Sequence, residues 1–277
     1  MNNLFEKFSL RGKVIVITGA TGLLGRKHAQ AVACYGGTPL LIDLSQASVD
    51  QFSRELNKKY NCDSKGFALD ITDENAVKNN VKQLILKFDS IDGLVNNAAN
   101  NPKVENRNHI NFSRLENFPL DAWNNDIAVG LTGSFLCAKH YGFLISQNPR
   151  GGSIVNISSD LGLIAPDQRL YEVEGVDACN QNVKPVSYSV VKTGIIGLTR
   201  YLATYWASNN VRCNALCPGG VENGQPDEFL TQINKKIPMG RMASSDEYQG
   251  TLIWMLSDAS SYLNGAIVPV DGGRTVW

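Results

Sequence analysis

The sequence predicts a doubly wound α/β fold of the Rossmann type, in which helices cover both faces of a parallel sheet of about seven strands. Short apolar segments rich in β-branched residues alternate with longer helix-like segments along the whole chain. The apolar segments are continuous rather than alternating, which is typical of strands buried on both faces. No break in composition divides the 277 residues, so we expect one domain over residues 1–277.

The elements follow in a regular order. The first strand is predicted at 13–18 (KVIVIT), and a helix is expected to begin near Leu23. Six further strands are predicted at 38–43 (TPLLID), 65–70 (KGFALD), 91–96 (IDGLVN), 152–158 (GSIVNIS), 211–217 (VRCNALC) and 266–271 (AIVPVD). The apolar stretches 120–148 and 186–209 are predicted to be helical.

Two polar, turn-rich segments interrupt this rhythm, at 100–118 and 160–185, and each follows a predicted strand. Ligands bind beyond the carboxyl ends of the strands in open α/β sheets. We therefore expect both loops to form walls of a substrate site.

Charge and cysteine content argue against several classes of function. The chain has 26 basic and 26 acidic residues, which argues against a nucleic-acid or membrane-surface partner. It starts without a signal peptide and contains no apolar run of ~18 residues, so we expect a soluble cytoplasmic protein. Six scattered cysteines and the isolated His28, His109 and His140 predict free thiols and no metal site.

A glycine-rich turn links the first strand to its helix. The segment VITGATGLLGRK contains Gly19, Gly22 and Gly25. Glycine lets backbone N–H groups approach a pyrophosphate, which the N-terminus of the next helix stabilises. Asp43 ends the second strand, where a carboxylate accepts hydrogen bonds from the adenosine ribose. No arginine or lysine in the turn or in DLSQAS can receive a 2′-phosphate, so we expect NAD rather than NADP; alternatively, Asp43 merely caps the next helix.

A tyrosine and a lysine lie one helical turn apart in SYSVVKTG. Tyr188 and Lys192 are four residues apart, so on a helix they share a face. A tyrosine with an ordinary pKa near ~10 is a poor base at neutral pH, and a neighbouring ammonium favours its phenolate. The spacing alone is typical of two neighbours on a solvated face, so the rest of the sequence must decide.

Five motifs in a fixed order supply that context. The glycine turn, NNAA (96–99), GSIVNISS (152–159), YSVVK (188–192) and CPGG (217–220) together resemble the classical short-chain dehydrogenase/reductase family over essentially the whole chain. The resemblance implies Tyr188 as catalytic acid/base, Lys192 as its partner and Ser159 as the group that polarises the substrate oxygen. It also implies a nicotinamide dinucleotide site formed by Gly19, Thr21, Gly22, Leu23, Leu24, Gly25, Asp43, Leu44, Asp70, Ile71, Asn97, Ala98, Pro218, Gly219 and Val221, with Asp70 and Ile71 near the adenine and the last three around the nicotinamide.

The sequence departs from this family pattern in three places. Leu23 stands where the classical turn has its middle glycine, and the TGxxGxxG spacing is closer to the extended branch, which includes sugar-nucleotide epimerases and dehydratases. Gly130 stands where the family usually has an asparagine that completes a proton relay to the lysine. Ser159 precedes Tyr188 by 29 residues, about twice the usual family spacing, and the loop 160–185 accounts for the excess.

The long loop suggests the substrate. We expect Asp167, Gln168 and Arg169 to contact it, with Tyr171 and Glu172 as further candidates. Such donors and acceptors suit a polyhydroxylated ligand, and a phosphate could meet one of four cations, namely Arg169, Lys103, Arg107 or Arg114. The stretches APDQRLYE, KPVSYSVVKTGIIGLTRYLATYWA and PGGVENGQ resemble a subgroup associated with bacterial surface-carbohydrate and flagellin-modification pathways, which implies a sugar or sugar-phosphate substrate.

The leading hypothesis is an NAD-dependent oxidoreductase acting on a carbohydrate-like alcohol or ketone. One alternative is an epimerase or dehydratase that uses NAD transiently, and a second is a non-catalytic dinucleotide-binding homologue, which Gly130 motivates. The predicted helices 120–148 and 186–209 carry more apolar surface than one sheet face needs. Family members commonly pair such helices, so we expect a homotetramer or homodimer.

Overall fold

Seven parallel strands form one sheet at the centre of the computed structural model, which describes residues 4–100 and 111–277. The strand order is β3-β2-β1-β4-β5-β6-β7. The strands are β1 Val14–Thr18, β2 Thr38–Asp43, β3 Lys65–Ala68, β4 Gly93–Asn96, β5 Gly152–Ile157, β6 Val211–Pro218 and β7 Ile267–Val270. The predicted doubly wound sheet is confirmed, and every predicted strand is present.

Helices connect successive strands. The α-helices in the described ranges are α1 Leu4–Lys7, α2 Leu23–Cys34, α3 Gln46–Tyr60, α4 Glu74–Ile85, α5 Leu120–Ile127, α6 Gly133–Cys137, α7 Phe143–Ser146, α8 Val186–Tyr205, α9 Asp227–Asn234 and α10 Gln249–Leu256. Two wider π-helical turns, Ala128–Thr132 and Ala138–Gly142, join α5 to α6 and α6 to α7. The stretch predicted to be helical at 120–148 is therefore helical from Leu120 to Ser146. Short 3-10 turns occupy parts of the loop 160–185.

The strands β1, β2, β4, β5 and β6 bury alternate residues in two separate apolar clusters. On β1, Ile15 and Ile17 pack on the side covered by α2, α3 and α10, whereas Val16 packs on the side covered by α4, α6 and α8. Successive side chains of a strand point to opposite faces of a sheet. Burial on both faces is the physical reason for the continuous apolar strand sequences.

The strand order reverses between β1 and β4, and this reversal positions the site. β1 pairs with β2 on one side and with β4 on the other. The connections leaving these two strands therefore diverge and open a crevice at the carboxyl ends. The glycine turn follows β1, and the two long loops follow β4 and β5.

The remaining sequence expectations concern thiols, metals and membranes. All six cysteines are free, and His28 lies on α2 while His140 lies in the second π turn. Within residues 4–100 and 111–277, no group of three metal-ligating side chains comes together. No helix in those same ranges combines the length and apolar character required to cross a membrane. His109 lies outside the described residues.

Candidate active site

A cleft of about 650 Å³ opens at the carboxyl ends of β1, β4, β5 and β6. Most of the residues singled out from the sequence line it. They are Gly19, Thr21, Gly22, Leu23, Leu24, Asp43, Asn97, Ala98, Ser159, Tyr188, Lys192, Pro218, Gly219 and Val221. Parallel strands that end at one edge of the sheet thus bring five separate sequence motifs into one cavity.

The glycine turn forms the floor of one end of the cleft, and close packing fixes its shape. Gly19 has a φ of +61°, and a Cβ there would lie 2.8 Å from Ala98 Cα. A Cβ on Gly25 would lie 2.0 Å from the Gly19 carbonyl oxygen. Asn97 ties the turn to β4, because its Nδ2 donates to the carbonyl oxygens of Thr18 (2.9 Å) and Gly19 (3.1 Å).

The N-terminus of α2 faces this end of the cleft. Gly22 is its N-cap residue, and no side chain caps the first turn. The first backbone N–H groups of a helix lack partners within the helix and favour an anion. Together with the close-packed glycine turn, this uncapped end fits the pyrophosphate of a dinucleotide, which Gly22, Leu23 and Leu24 would hold.

Asp43 is held at the cleft by its neighbours. One carboxylate oxygen accepts from Thr21 N (2.8 Å) and Thr21 Oγ1 (2.6 Å), and the other accepts from Leu44 N (2.8 Å). The N-cap of α3 is Ser45, whose side chain accepts from Ser48 N. Asp43 is therefore free of the helix-capping role, and its fixed carboxylate fits the ribose hydroxyls of a dinucleotide.

The three predicted catalytic residues meet at the other end of the cleft. Ser159 follows β5, while Tyr188 and Lys192 lie on one face of α8. The Ser159 and Tyr188 side chains both line this end of the cleft. Lys192 Nζ donates to the Ile157 carbonyl (2.9 Å) and lies 5.8 Å from the centroid of the Tyr188 ring.

Burial opposes charge on both members of the Tyr188–Lys192 pair. It raises the pKa of Tyr188, and the nearby Ser159 hydroxyl offsets part of that rise. Burial also lowers the pKa of Lys192 to about 8. The site without cofactor therefore holds Tyr188 as the neutral phenol, the form that can donate a proton. A positive charge brought into the cleft favours the phenolate, the form that can accept one.

Three further residues of the catalytic end were not identified from the sequence. Asp160 accepts from Ser159 Oγ (2.7 Å) on one oxygen and from Arg274 Nη1 (2.6 Å) on the other, and both members of this ion pair are buried. Lys184 Nζ lies 3.9 Å from the centroid of the Tyr188 ring. Lys184 stands four residues before Tyr188, a spacing that was available in the sequence, whereas Arg274 is 114 residues from Asp160.

Four residues of the expected cofactor set lie outside the cleft lining. Asp70 Oδ1 accepts from Thr72 N (2.8 Å) and Thr72 Oγ1 (2.7 Å), so this carboxylate shapes the turn after β3. The Ile71 side chain is buried in the apolar core, and Leu44 is exposed at the edge of the sheet. Gly25 does not line the cleft, and its lack of a side chain allows α2 to pack closely against the glycine turn.

The long loop contributes different residues from those expected. Asp167 forms ion pairs with Arg169 (2.8 Å) and Lys236 (3.0 Å), and the Arg169 side chain is 73% exposed. Gln168 Oε1 accepts from Lys184 N (2.8 Å). None of the three expected contacts Asp167, Gln168 and Arg169 lines the cleft, whereas Tyr171 does.

The other expected phosphate contacts are also placed elsewhere or not described. Arg114 pairs with Glu116 and donates to the Ala178 carbonyl (2.9 Å). Lys103 and Arg107 lie outside the described residues. Among the described residues, the cations that line the cleft are Lys184, Lys192 and Arg274.

The lowered pKa of Lys192 predicts a specific pH dependence of stability. Between about 8 and the ordinary value of 10.5, the unfolded chain binds more protons at Lys192 than the folded protein does. The free energy of unfolding therefore rises with pH across that window, by about 1–3 kcal/mol from this group. Lys192→Met removes this titrating group. Urea denaturation should therefore show a smaller rise in the free energy of unfolding between pH 7.5 and pH 10.5 in the variant than in the wild type. An equal rise in both proteins would contradict the lowered pKa.

The chain is similar to known reductases and dehydrogenases over most of its length. A family model described as enoyl-(acyl carrier protein) reductase matches residues 19–275. A 3-oxoacyl-[acyl-carrier-protein] reductase, FabG, from Aquifex aeolicus is 30% identical over 96% of this chain and 99% of its own. An NADP-dependent mannitol dehydrogenase from Hypocrea jecorina is 31% identical over 99% of this chain and 96% of its own.

Solved structures share the fold over the same extent. The crystal structure of a gluconate 5-dehydrogenase from Burkholderia cenocepacia superimposes with a TM-score of 0.85, at 23% identity, over 99% of this chain and all of the other. The matched region includes the glycine turn, the Tyr188–Lys192 pair and the C-terminal strand. This chain belongs to the classical short-chain dehydrogenase/reductase family, whose members are alcohol and carbonyl oxidoreductases.

Proposed function

We propose that the protein transfers a hydride between NAD and a hydroxyl or ketone of a small, polyhydroxylated, anionic substrate. One observation carries the proposal: Ser159, Tyr188 and Lys192 meet at one end of a cleft whose other end holds Asp43. The subgroup resemblance in the sequence points to a sugar or sugar phosphate. The similar mannitol dehydrogenase supports a polyhydroxylated substrate. We also propose that residues 1–277 form one domain around this cleft.

The side chains divide the proton chemistry among them. Nicotinamide supplies or accepts the hydride when it is bound. Ser159 turns its single hydroxyl proton from Asp160 to the reacting oxygen, and Leu161 N, which donates to Ser159 Oγ (3.2 Å), keeps the serine in position. Tyr188 gives a proton to that oxygen in reduction and takes one in oxidation, while the Lys192 ammonium stabilises the phenolate.

Asp43 supports NAD as the cofactor. A 2′-phosphate would bring negative charge against this carboxylate. Arg26, on the first turns of α2, is already paired with Glu55 (2.8 Å) and stacked 4.0 Å from the Phe52 ring centroid. We expect NADH to bind at least tenfold more tightly than NADPH in a titration that follows nicotinamide fluorescence. Asp43→Ser should reduce the preference for NADH over NADPH. A wild-type preference for NADPH would overturn the assignment of NAD as the cofactor.

The charges at the catalytic end support an anionic substrate. Arg274 is neutralised by Asp160, whereas the Lys184 ammonium lies at the cleft and none of the described acidic side chains forms an ion pair with it. Gln168 holds the Lys184 backbone in place. Burial lowers the pKa of Lys184, so this cation is poorly hydrated and gains from a carboxylate or phosphate partner.

Lys184→Met should separate charge recognition from catalysis. We expect the variant to raise the KM for D-gluconate or glucose 6-phosphate by at least tenfold, with a much smaller change for mannitol, which is neutral. The carboxylate and phosphate substrates distinguish the two kinds of anion. Lys235→Met, at an exposed lysine on the surface, is the matched control. An equal change in KM for neutral and anionic substrates would contradict the proposal that the substrate is anionic.

Two exposed helix faces support a homo-oligomer. Phe135 on α6 and Phe143 on α7 are 47% and 58% exposed, and Tyr201 and Tyr205 on α8 are 62% and 58% exposed. The two tyrosine rings stack at 5.5 Å. Apolar surface of this kind is typical of protein–protein contacts. We propose a homotetramer or homodimer in which these helices pair, and a monomer in light scattering would contradict it.

A further inference from the structure

Each turnover moves one proton through a buried tyrosine–lysine pair, and that proton must reach solvent. Lys192 is 7% exposed, and its ammonium is bonded to the Ile157 carbonyl. At Gly130, where a relay asparagine was expected, packing leaves no room for a side chain. A Cβ there would lie 2.5 Å from Val191 Cγ1. Gly130 itself therefore offers only backbone to a relay.

A small cavity lies beside Gly130 and reaches the catalytic pair. Its volume is about 30 Å³, which is enough for one or two water molecules. Tyr188 and Lys192 line one side of it. Asn100, Asp126 and Ser187 supply polar groups on the other side. A cavity of this size with several polar partners meets the conditions for an ordered water.

Asp126 is the acid of this cavity, and it lies one helical turn before Gly130. Its side chain is buried at 6% exposure. One carboxylate oxygen accepts from Asn100 Nδ2 (2.8 Å), and the other accepts from Ser187 Oγ. Both donors are neutral. A carboxylate buried without a bonded cation is costly, so the fold retains it here at the expense of stability.

We propose that Asp126 and a water in the cavity form the proton relay of this enzyme in place of the absent asparagine. In oxidation, the Tyr188 phenolate takes the alcohol proton and becomes the phenol, while Lys192 starts as the ammonium. The amine that Lys192 becomes on giving up a proton takes the phenol proton, which restores both the ammonium and the phenolate. Lys192 passes a proton to the water, and the water passes one to the Asp126 carboxylate. Asp126 releases it to solvent past Asn100, which lines both the cavity and the cleft. Every transfer reverses in reduction.

Asp126 acts through Lys192 and is thus a positioning and relay residue rather than a catalytic one. In the part of the chain that the structure describes, the other titratable groups that line this cavity are Lys184, Tyr188 and Lys192. A purely structural role is the competing explanation, because the bond to Ser187 anchors the first turn of α8. The two roles make opposite predictions for two variants. Asp126→Asn keeps an acceptor for Ser187 but cannot carry a proton, whereas Ser187→Ala removes the anchor and keeps the carboxylate.

The inference rests on the proposed function, and the first test uses turnover with NAD and a polyol or sugar acid. We expect Asp126→Asn to lower kcat at least thirtyfold, to increase the solvent deuterium isotope effect on kcat and to leave KM within about twofold. Ser187→Ala should lower kcat much less than Asp126→Asn does. Formate should restore part of the activity of Asp126→Ala by occupying the vacated space. A Ser187→Ala loss as large as that of Asp126→Asn, or an unchanged isotope effect, would overturn the relay.

A second test does not depend on any substrate. NAD⁺ favours the Tyr188 phenolate, so its binding should release a proton, which a pH indicator detects in weakly buffered stopped-flow experiments. We expect release to be at least tenfold slower in Asp126→Asn, with NAD⁺ affinity unchanged. If the wild type oxidises no substrate, the proposed function fails while slowed release still supports the relay. Equal release rates, or no release by the wild type, would contradict the relay in either case.

Discussion

Tyr188→Phe is expected to lower kcat by about 10²–10⁴-fold, the range that a positioned general acid or base contributes. Phenylalanine fills the same space but removes the hydroxyl that exchanges the substrate proton. The ring is retained beside Lys184 and Lys192, so the affinity for NADH should change by no more than about twofold. Steady-state kinetics and a fluorescence titration of the same preparation measure the two effects.

Tyr201→Phe is the matched control for this variant. Tyr201 lies on the same helix as Tyr188 but is 62% exposed. The control should keep wild-type kinetics. A Tyr188→Phe protein that retains more than a tenth of wild-type turnover would remove Tyr188 from the mechanism. If Tyr188→Phe binds NADH like the wild type but has lost turnover, the wild type is an enzyme. That result would also exclude the alternative of a dinucleotide-binding protein without turnover.

Gly25→Ala is expected to destroy the cofactor end of the cleft. The new Cβ would lie 2.0 Å from the Gly19 carbonyl oxygen and 2.9 Å from Ala20 Cα. These are backbone atoms, so α2 or the turn must move. Overpacking of this kind costs about 1–3 kcal/mol of folding free energy. The displaced turn should also weaken NADH binding at least tenfold, as a fluorescence titration would show.

Gly250→Ala separates this effect from a general change of glycine to alanine. Gly250 lies on α10, and a Cβ there would meet no atom within 4 Å. This substitution should stabilise the protein by about 0.5–1 kcal/mol through helix propensity and leave NADH binding intact. If Gly25→Ala instead binds NADH like the wild type, the close contact between α2 and the turn does not shape the pyrophosphate site.

The sequence was informative wherever one residue type is required locally. Strands buried on both faces are largely apolar, so the central strands β1, β2, β4, β5 and β6 were visible as continuous runs. The glycine turn was visible because Gly19 and Gly25 have no room for a side chain. Tyr188 and Lys192 were visible because a helix places residues four apart on one face and because the surrounding motifs matched a family.

Contacts between distant segments were not visible in the same way. Arg274 reaches Asp160 only because β5 and the C-terminal segment end at the same edge of the sheet. Arg169 was expected at the substrate because of its charge, but Asp167 two residues earlier pairs with it. The role of Asp43 was ambiguous in sequence, since Ser45 and Asp43 can both cap a helix, and the structure assigns the cap to Ser45. Gly130 signalled a missing asparagine, yet only packing showed that Val191 fills its place.

The most direct test of the central claim is a measurement of NADH formation with wild-type enzyme, NAD⁺ and a panel of neutral polyols, sugar acids and sugar phosphates. We expect NADH to form in proportion to the substrate consumed, with the highest kcat/KM for the anionic substrates and much slower turnover with NADP⁺. Conversion of substrate without net NADH would contradict it and indicate transient oxidation. Tight NADH binding with no conversion of any member would contradict it as well.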